Sequence, residues 1–172
     1  MKKITKSFVV SAIFLAAIVL SACAPPDKTN YSLSILAVNE TLSESFHGSV
    51  PENVIVITRG EVPLEAETGD KIIFEARLDN DSCKKQKVSC NKGELLKIII
   101  ARNGETVLEK YEELTSYAFP DVEGTRGVSE YFFTFSYMFE ETGTYTVLAT
   151  SKFTQKDIAY SYQDGPLTVI VK

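Results

Sequence analysis

The chain has 172 residues and a formal net charge of −5, from 18 Lys+Arg against 23 Asp+Glu. An acidic balance of this kind excludes a general nucleic-acid binder, which needs a basic face. There is one His and no Trp, and β-branched residues, Phe and Tyr dominate the apolar set.

The first segment opens with Lys2, Lys3 and Lys6, continues through an uncharged apolar run from Phe8 to Leu20, and closes with Ser21 and Ala22 before Cys23. A positive start, an apolar middle and small residues at a cleavage point make a secretory signal. The apolar run falls short of the ~20 residues of a bilayer span, and no polar stop-transfer flank follows it. The tetrapeptide Leu20-Ser21-Ala22-Cys23 resembles the lipobox of bacterial lipoproteins. That resemblance implies cleavage before Cys23, a diacyl thioether on its sulfur and an acylated amino group, which together satisfy the two-signal requirement for stable anchoring. It also implies an extracytoplasmic, outer-membrane address in a cell with two membranes, because Ala24, not Asp, follows the cysteine.

Residues 1–22 are thus read as a signal peptide, 23–30 as a lipid-anchored tether and 31–172 as one domain. The leader carries three lysines and no acid, which leaves 15 Lys+Arg against 23 Asp+Glu and a mature net charge near −8. Such a surface does not lie flat on anionic lipid. The tether Ala24-Pro25-Pro26-Asp27-Lys28-Thr29-Asn30 has no apolar run to pack, and its shortness holds the domain close to the membrane. About 140 residues suffice for one domain with its own core.

Beyond the tether the pattern is period two, broken by turn residues. Asn53–Thr58 is a β-branched run. In Lys71–Leu78, Ile72, Phe74, Ala76 and Leu78 face one way and Lys71, Glu75 and Arg77 the other. Leu95–Ala101 is a further strand, Asn103-Gly104 a type I′ hairpin turn, and Thr106–Tyr111 the returning strand. Glu109–Tyr117 is ambiguous, since Leu114 and Tyr117 also suit one helical turn. Ser129–Phe139 is a long aromatic strand, and Thr144–Phe153 and Leu167–Val171 close the chain. Gly69-Asp70, Gly143 and Asp164-Gly165-Pro166 punctuate it. The expectation is an all-β, antiparallel β-sandwich of about seven to nine strands, with a closed barrel as the alternative.

Glu141-Thr142-Gly143-Thr144-Tyr145 resembles the tyrosine corner of immunoglobulin-like sandwiches, in which the phenol hydroxyl bonds a nearby backbone. Gly143-Thr144-Tyr145-Thr146-Val147 also resembles the penultimate strand of bacterial PKD-type domains. The match covers the last third of the chain, and that family's Trp-bearing signature is absent. An immunoglobulin-like order makes Lys71–Asp79 the B strand and Leu95–Ala101 the C strand.

Cys83 and Cys90 are the only thiols besides Cys23. Export to an oxidising compartment makes a disulfide the default, and closing so short a loop contributes roughly 2–3 kcal/mol in the chain-entropy picture. Six intervening residues do not match zinc-knuckle spacing, and a redox pair wants Cys-x-x-Cys in a βαβ setting. Lys84, Lys85 and Lys87 lie inside the bridge. On an acidic domain this cationic loop reads either as a solvated loop or as a recognition tip for an anionic partner. The B–C and F–G connections cluster at one end of such sandwiches. With the F–G connection placed between Phe153 and Pro166, a binding end forms from Lys84, Lys85, Lys87, Lys156, Tyr160 and Tyr162. Alternatively, the two tyrosines lie on one face of a last strand and pack.

Tyr131, Phe133, Phe135, Tyr137 and Phe139 share one strand face and read as sandwich core, a sugar-stacking surface being the rival. Asp79-Asn80-Asp81-Ser82 departs from the EF-hand order and reads as an Asx-type turn. His47 sits in a polar loop, and the chain has no Gly-x-Ser-x-Gly, His-x-x-x-His or phosphate loop. No enzyme, cofactor or metal is expected. The expected function is a non-catalytic, lipid-anchored envelope binding or adhesion module. Its partners are the membrane, through the anchor, and a protein or anionic envelope polymer. The alternatives are an accessory subunit of an envelope complex, then a hydrolase or a hydrolase inhibitor.

Overall fold

A computed structural model describes residues 31–39, 57–58, 62–82, 85–122 and 128–172. The leader, the tether, Cys23, Cys83, Lys84, His47 and most of the expected strand at 53–58 lie outside the described residues. Among those described, no helix is long and apolar enough to cross a membrane.

Among the described residues, eleven strands form in chain order: β1 (Tyr31–Asn39), β2 (Ile57–Thr58), β3 (Leu64–Ala66), β4 (Lys71–Asn80), β5 (Gln86–Ser89), β6 (Lys97–Arg102), β7 (Glu105–Tyr111), β8 (Ser116–Phe119), β9 (Ser129–Met138), β10 (Gly143–Gln155) and β11 (Ile158–Val171). The first sheet runs β2-β1-β4-β9. The second runs β3-β11-β10. Along its length β10 pairs first with β6, which carries β7, and then at Thr154 with Ser89 of β5, which carries β8. The strands β1, β4 and β9 take the A, B and E positions of an immunoglobulin-like sandwich, and β6, β10 and β11 take C, F and G. All pairings are antiparallel except β3 with β11, which is parallel. The chain leaves the first sheet after β2 and lays three residues along the free edge of the last strand.

Alternation explains why these segments are strands. Ile72, Phe74, Ala76 and Leu78 of β4 are fully buried, and so are Ile98 and Ile100 of β6 and Val147 and Ala149 of β10. These residues meet between the sheets as one core. Tyr145, at the start of β10, donates its hydroxyl to the Glu141 carbonyl at 2.9 Å. The tyrosine corner expected from the sequence is therefore formed. Asn103 and Gly104 both take positive φ at the β6–β7 turn, 53° and 83°, as a type I′ hairpin requires.

Three expectations are corrected. The strands outnumber seven to nine, because β2, β3, β5 and β8 have only two to four residues each, too few to show a period. Residues 109–117 form no helical turn; β7 runs to Tyr111 and β8 begins at Ser116. The last strand begins at Ile158, not Leu167, and the F–G connection shrinks to Lys156-Asp157, both in the left-handed region with φ of 48° and 65°. Asp164-Gly165-Pro166 is a bulge inside β11, opposite the register shift between Val147 and Ala149.

Candidate functional site

The described members of the expected binding set, Lys85, Lys87, Lys156, Tyr160 and Tyr162, gather at one end of the sandwich, the end where Tyr31, Asn80 and Ser129 lie side by side. A chain of buried side chains ties the two sheets together there. Asn80 Nδ2 donates to Ser129 Oγ at 3.0 Å, and Asn80 Oδ1 accepts the Ser82 backbone N–H at 3.1 Å. The second contact is the Asx turn read from the sequence. Gln86 Nε2 donates to Ser82 Oγ at 3.2 Å, and Gln155 Nε2 donates to Gln86 Oε1. The last bond joins the start of β5 to the end of β10. Buried amides are costly unless paired, so this chain fixes how the ends of β4, β5 and β10 sit.

Around this network the charges are mixed. Lys85, Lys87 and Lys156 are exposed, but so are Asp81, Asp121 and Asp157, and the Lys85 backbone N–H donates to Asp121 Oδ1. Lys87 is not on a loop. It lies on β5 opposite Ala118 of β8, with Gln86 and Val88 turned inward on either side.

Tyr160 and Tyr162 lie on β11, half-buried on its inner face, with their rings stacked at 6.4 Å. Phe153 extends the stack, 5.1 Å from Tyr160. Tyr31 packs edge-on against Phe153 at 4.8 Å and against Tyr160 at 5.4 Å. The packing alternative for the two tyrosines therefore describes their geometry. Tyr31 is 6% exposed, and its hydroxyl has no hydrogen-bond partner among the described residues. Burial raises its pKa well above the ordinary phenol value, with Tyr160, Tyr162 and Asp81 adding to the effect. Burial likewise raises Tyr162.

Cys90 is half-buried and carries a free thiol, which donates to the Leu114 carbonyl at 3.4 Å. Burial pushes its pKa up. Cys83, its expected disulfide partner, lies outside the described residues. Cys90, Asn91, Glu94, Lys152 and Tyr160 help line an open groove of about 580 Å³ beside β10. The groove arises where the chain between β5 and β6 crosses to β10, through Lys152 N to Glu94 O at 2.8 Å and Ser151 Oγ to Leu95 O at 2.6 Å.

The aromatic row of β9 is core at its ends, where Tyr131 and Phe139 are buried, and half-buried at Phe133, Phe135 and Tyr137. The reason is that β9 is the edge of its sheet among the described residues. On the outer face Phe132 is 59% exposed. No group of three or more His, Cys, Asp and Glu is placed to hold a metal among the described residues.

Sequence reasoning did not single out Tyr31, Phe119, the Gln86–Gln155 pair or Ile158. The signal for Tyr31 was present: Tyr31–Asn39 alternates with period two directly after the tether. The glutamines gave none, since an amide in a β segment does not reveal a partner 69 residues away.

No family model and no curated protein matches the chain. Among solved structures it is similar to the CARDB domain of the PF1109 protein from Pyrococcus furiosus, at 10% identity over 83% of this chain and 89% of that one, with a TM-score of 0.36. It is also similar to a Bordetella pertussis protein described as ApaA, at 10% identity over 83% and 94%, with a TM-score of 0.41. The immunoglobulin-like assignment rests on the strand registers and the tyrosine corner given above.

Proposed function

We propose that the chain is a lipid-anchored, non-catalytic binding module of the cell envelope. Its anchor is Cys23, and its binding residues are Lys84, Lys85, Lys87, Lys156, Tyr160 and Tyr162, of which the last five are described and share one end of the sandwich. The observation that carries this reading is the Gln86–Gln155 hydrogen bond. It holds the start of β5, which carries Lys87, against the end of β10, next to Lys156, and pre-ordered segments lose less entropy on binding. We also propose that Cys83 and Cys90 join after export, which would brace the same connection.

The test replaces Lys85, Lys87 and Lys156 together with Glu in the full chain and measures binding to the cell's own isolated envelope, its lipid and its polymers assayed separately. All three side chains are exposed, so folding is retained and binding should fall by about tenfold or more on loss of several favourable charges. Unchanged binding by a folded variant rejects this end as the binding surface.

A further inference from the structure

The tether joins the domain at the same end. Tyr31, the first described residue, pairs with Asn80 and packs on Phe153 and Tyr160. From Cys23 to Tyr31 there are eight peptide units, a reach of at most about 26–29 Å when fully extended. The sandwich is longer than that. The 13 residues of β10 run from Gly143 at the far end to Gln155 at the near end, about 40 Å at ~3.3 Å per residue. A tether anchored in a bilayer therefore cannot let the far end turn down onto that bilayer.

The long sides are also poor candidates, because the mature chain is strongly acidic and anionic lipid repels them. The near end is different. Lys85, Lys87 and Lys156 stand among Asp81, Asp121 and Asp157, and Arg77 pairs with Asp79 and Glu130 beside them, so among the described residues charge there is close to balanced. It also presents apolar tips. Ile158, just past the β10–β11 turn, is 58% exposed, and Val128, beside Ser129, is 44% exposed. Ile158 has Lys156 on one side and Tyr160 on the other, and an apolar tip between a lysine and a tyrosine suits the headgroup boundary of a membrane.

We infer that the partner of this end is the bilayer that holds the anchor, with Ile158 and Val128 dipping into its interface and the sandwich standing upright on it. The inference rests on the proposed acylation of Cys23. It gives the orphaned Tyr31 phenol a setting too, at the base of the domain close to the headgroups.

The absence of Trp from the chain supplies a clean probe. The full chain is expressed with its leader, purified and reconstituted into vesicles of phosphatidylethanolamine and phosphatidylglycerol with brominated acyl chains. Single-Trp variants I158W and V128W report on the near end, and M138W reports on the far end, where Met138 is 52% exposed. Expected is a loss of about half the emission for I158W and V128W relative to unbrominated vesicles, as insertion of roughly 5–10 Å produces, and no change for M138W. Two near-end reporters keep the test decisive if one variant folds poorly. No quenching at the near end, or equal quenching at both ends, overturns the inference. Intact mass on the same sample separates the two failures. Acylated protein with unquenched near-end reporters refutes this orientation alone, whereas protein without acyl mass refutes the anchor and the orientation together.

Discussion

Asp164 Oδ2 accepts a hydrogen bond from the backbone N–H of Ile35 at 2.9 Å. The contact joins the last strand to the first, 129 residues apart, and closes one flank of the sandwich. Among the described residues β2 pairs with β1 only at Leu36 and Ala37, and the Asp164 carboxylate serves the Ile35 N–H next to them. The bulge at Asp164-Gly165-Pro166 turns the carboxylate toward that flank. Asp164→Ala leaves the partly buried N–H without its acceptor and should cost about 1–2 kcal/mol in urea unfolding, more than Asp164→Asn, which keeps an acceptor oxygen. Equal stability of D164A and wild type would show that the two sheets close without this clamp.

The tyrosine corner offers a smaller, cleaner deletion. Tyr145→Phe keeps the ring against Phe139, 4.5 Å away, and removes only the bond to the Glu141 carbonyl. The expected loss is about 1 kcal/mol, read as a lowered thermal midpoint with an unchanged fold. A neutral result would assign the corner no stabilising role in this chain.

Gly165 and Gly104 differ in what a methyl group would meet. A Cβ at Gly165 would lie 2.7 Å from the Val147 carbonyl oxygen, at φ of +102°, whereas one at Gly104 meets nothing within 4 Å. Gly104→Ala should therefore cost only the left-handed backbone penalty of about 1 kcal/mol. Gly165→Ala adds a backbone clash and should cost about 2–3 kcal/mol or prevent folding. Comparable midpoints for the two variants would mean that the bulge relaxes freely.

Stability should fall steeply in alkali. Tyr31 and Tyr131 are buried, and both phenols are raised above their ordinary value of 10.0, Tyr31 by burial and Tyr131 by burial and its bond to the Glu112 carboxylate. The neutral form is favoured in the folded state, so this contribution is fully present below pH 10. It is lost as pH rises from there through the folded-state values, at about 1.4 kcal/mol per pH unit for each phenol titrating only in the unfolded chain. Ultraviolet titration should show these tyrosines ionising last, together with unfolding. Ionisation of all eight tyrosines near pH 10 in folded protein would contradict the packing of Tyr31.

The parts of the fold that were legible were those in which local chemistry and burial agree. The alternation in β4, the Asn103-Gly104 turn and the Glu141–Tyr145 corner each declare themselves within a few residues. The β10–β11 turn was hidden because Lys156 and Asp157 take positive φ without glycine, so that Asp164-Gly165-Pro166 offered a stronger but misleading turn signal. The strand β5 was hidden because lysines around Cys83 and Cys90 read as a solvated loop, and its four residues owe their pairing to β8 and β10. At the candidate site, the lysines and tyrosines could be named from the sequence. Asp121, which lies 36 residues from the Lys85 amide it bonds, could not, since its placement depends on the fold.

The most direct test is acylation of Cys23. Cells expressing the full chain or its Cys23→Ser variant are grown with labelled palmitate, fractionated, and the protein recovered from each fraction. The account expects label and membrane partitioning for the wild type, and neither for C23S. Unlabelled wild type, or a C23S protein that still sediments with membranes, would contradict it.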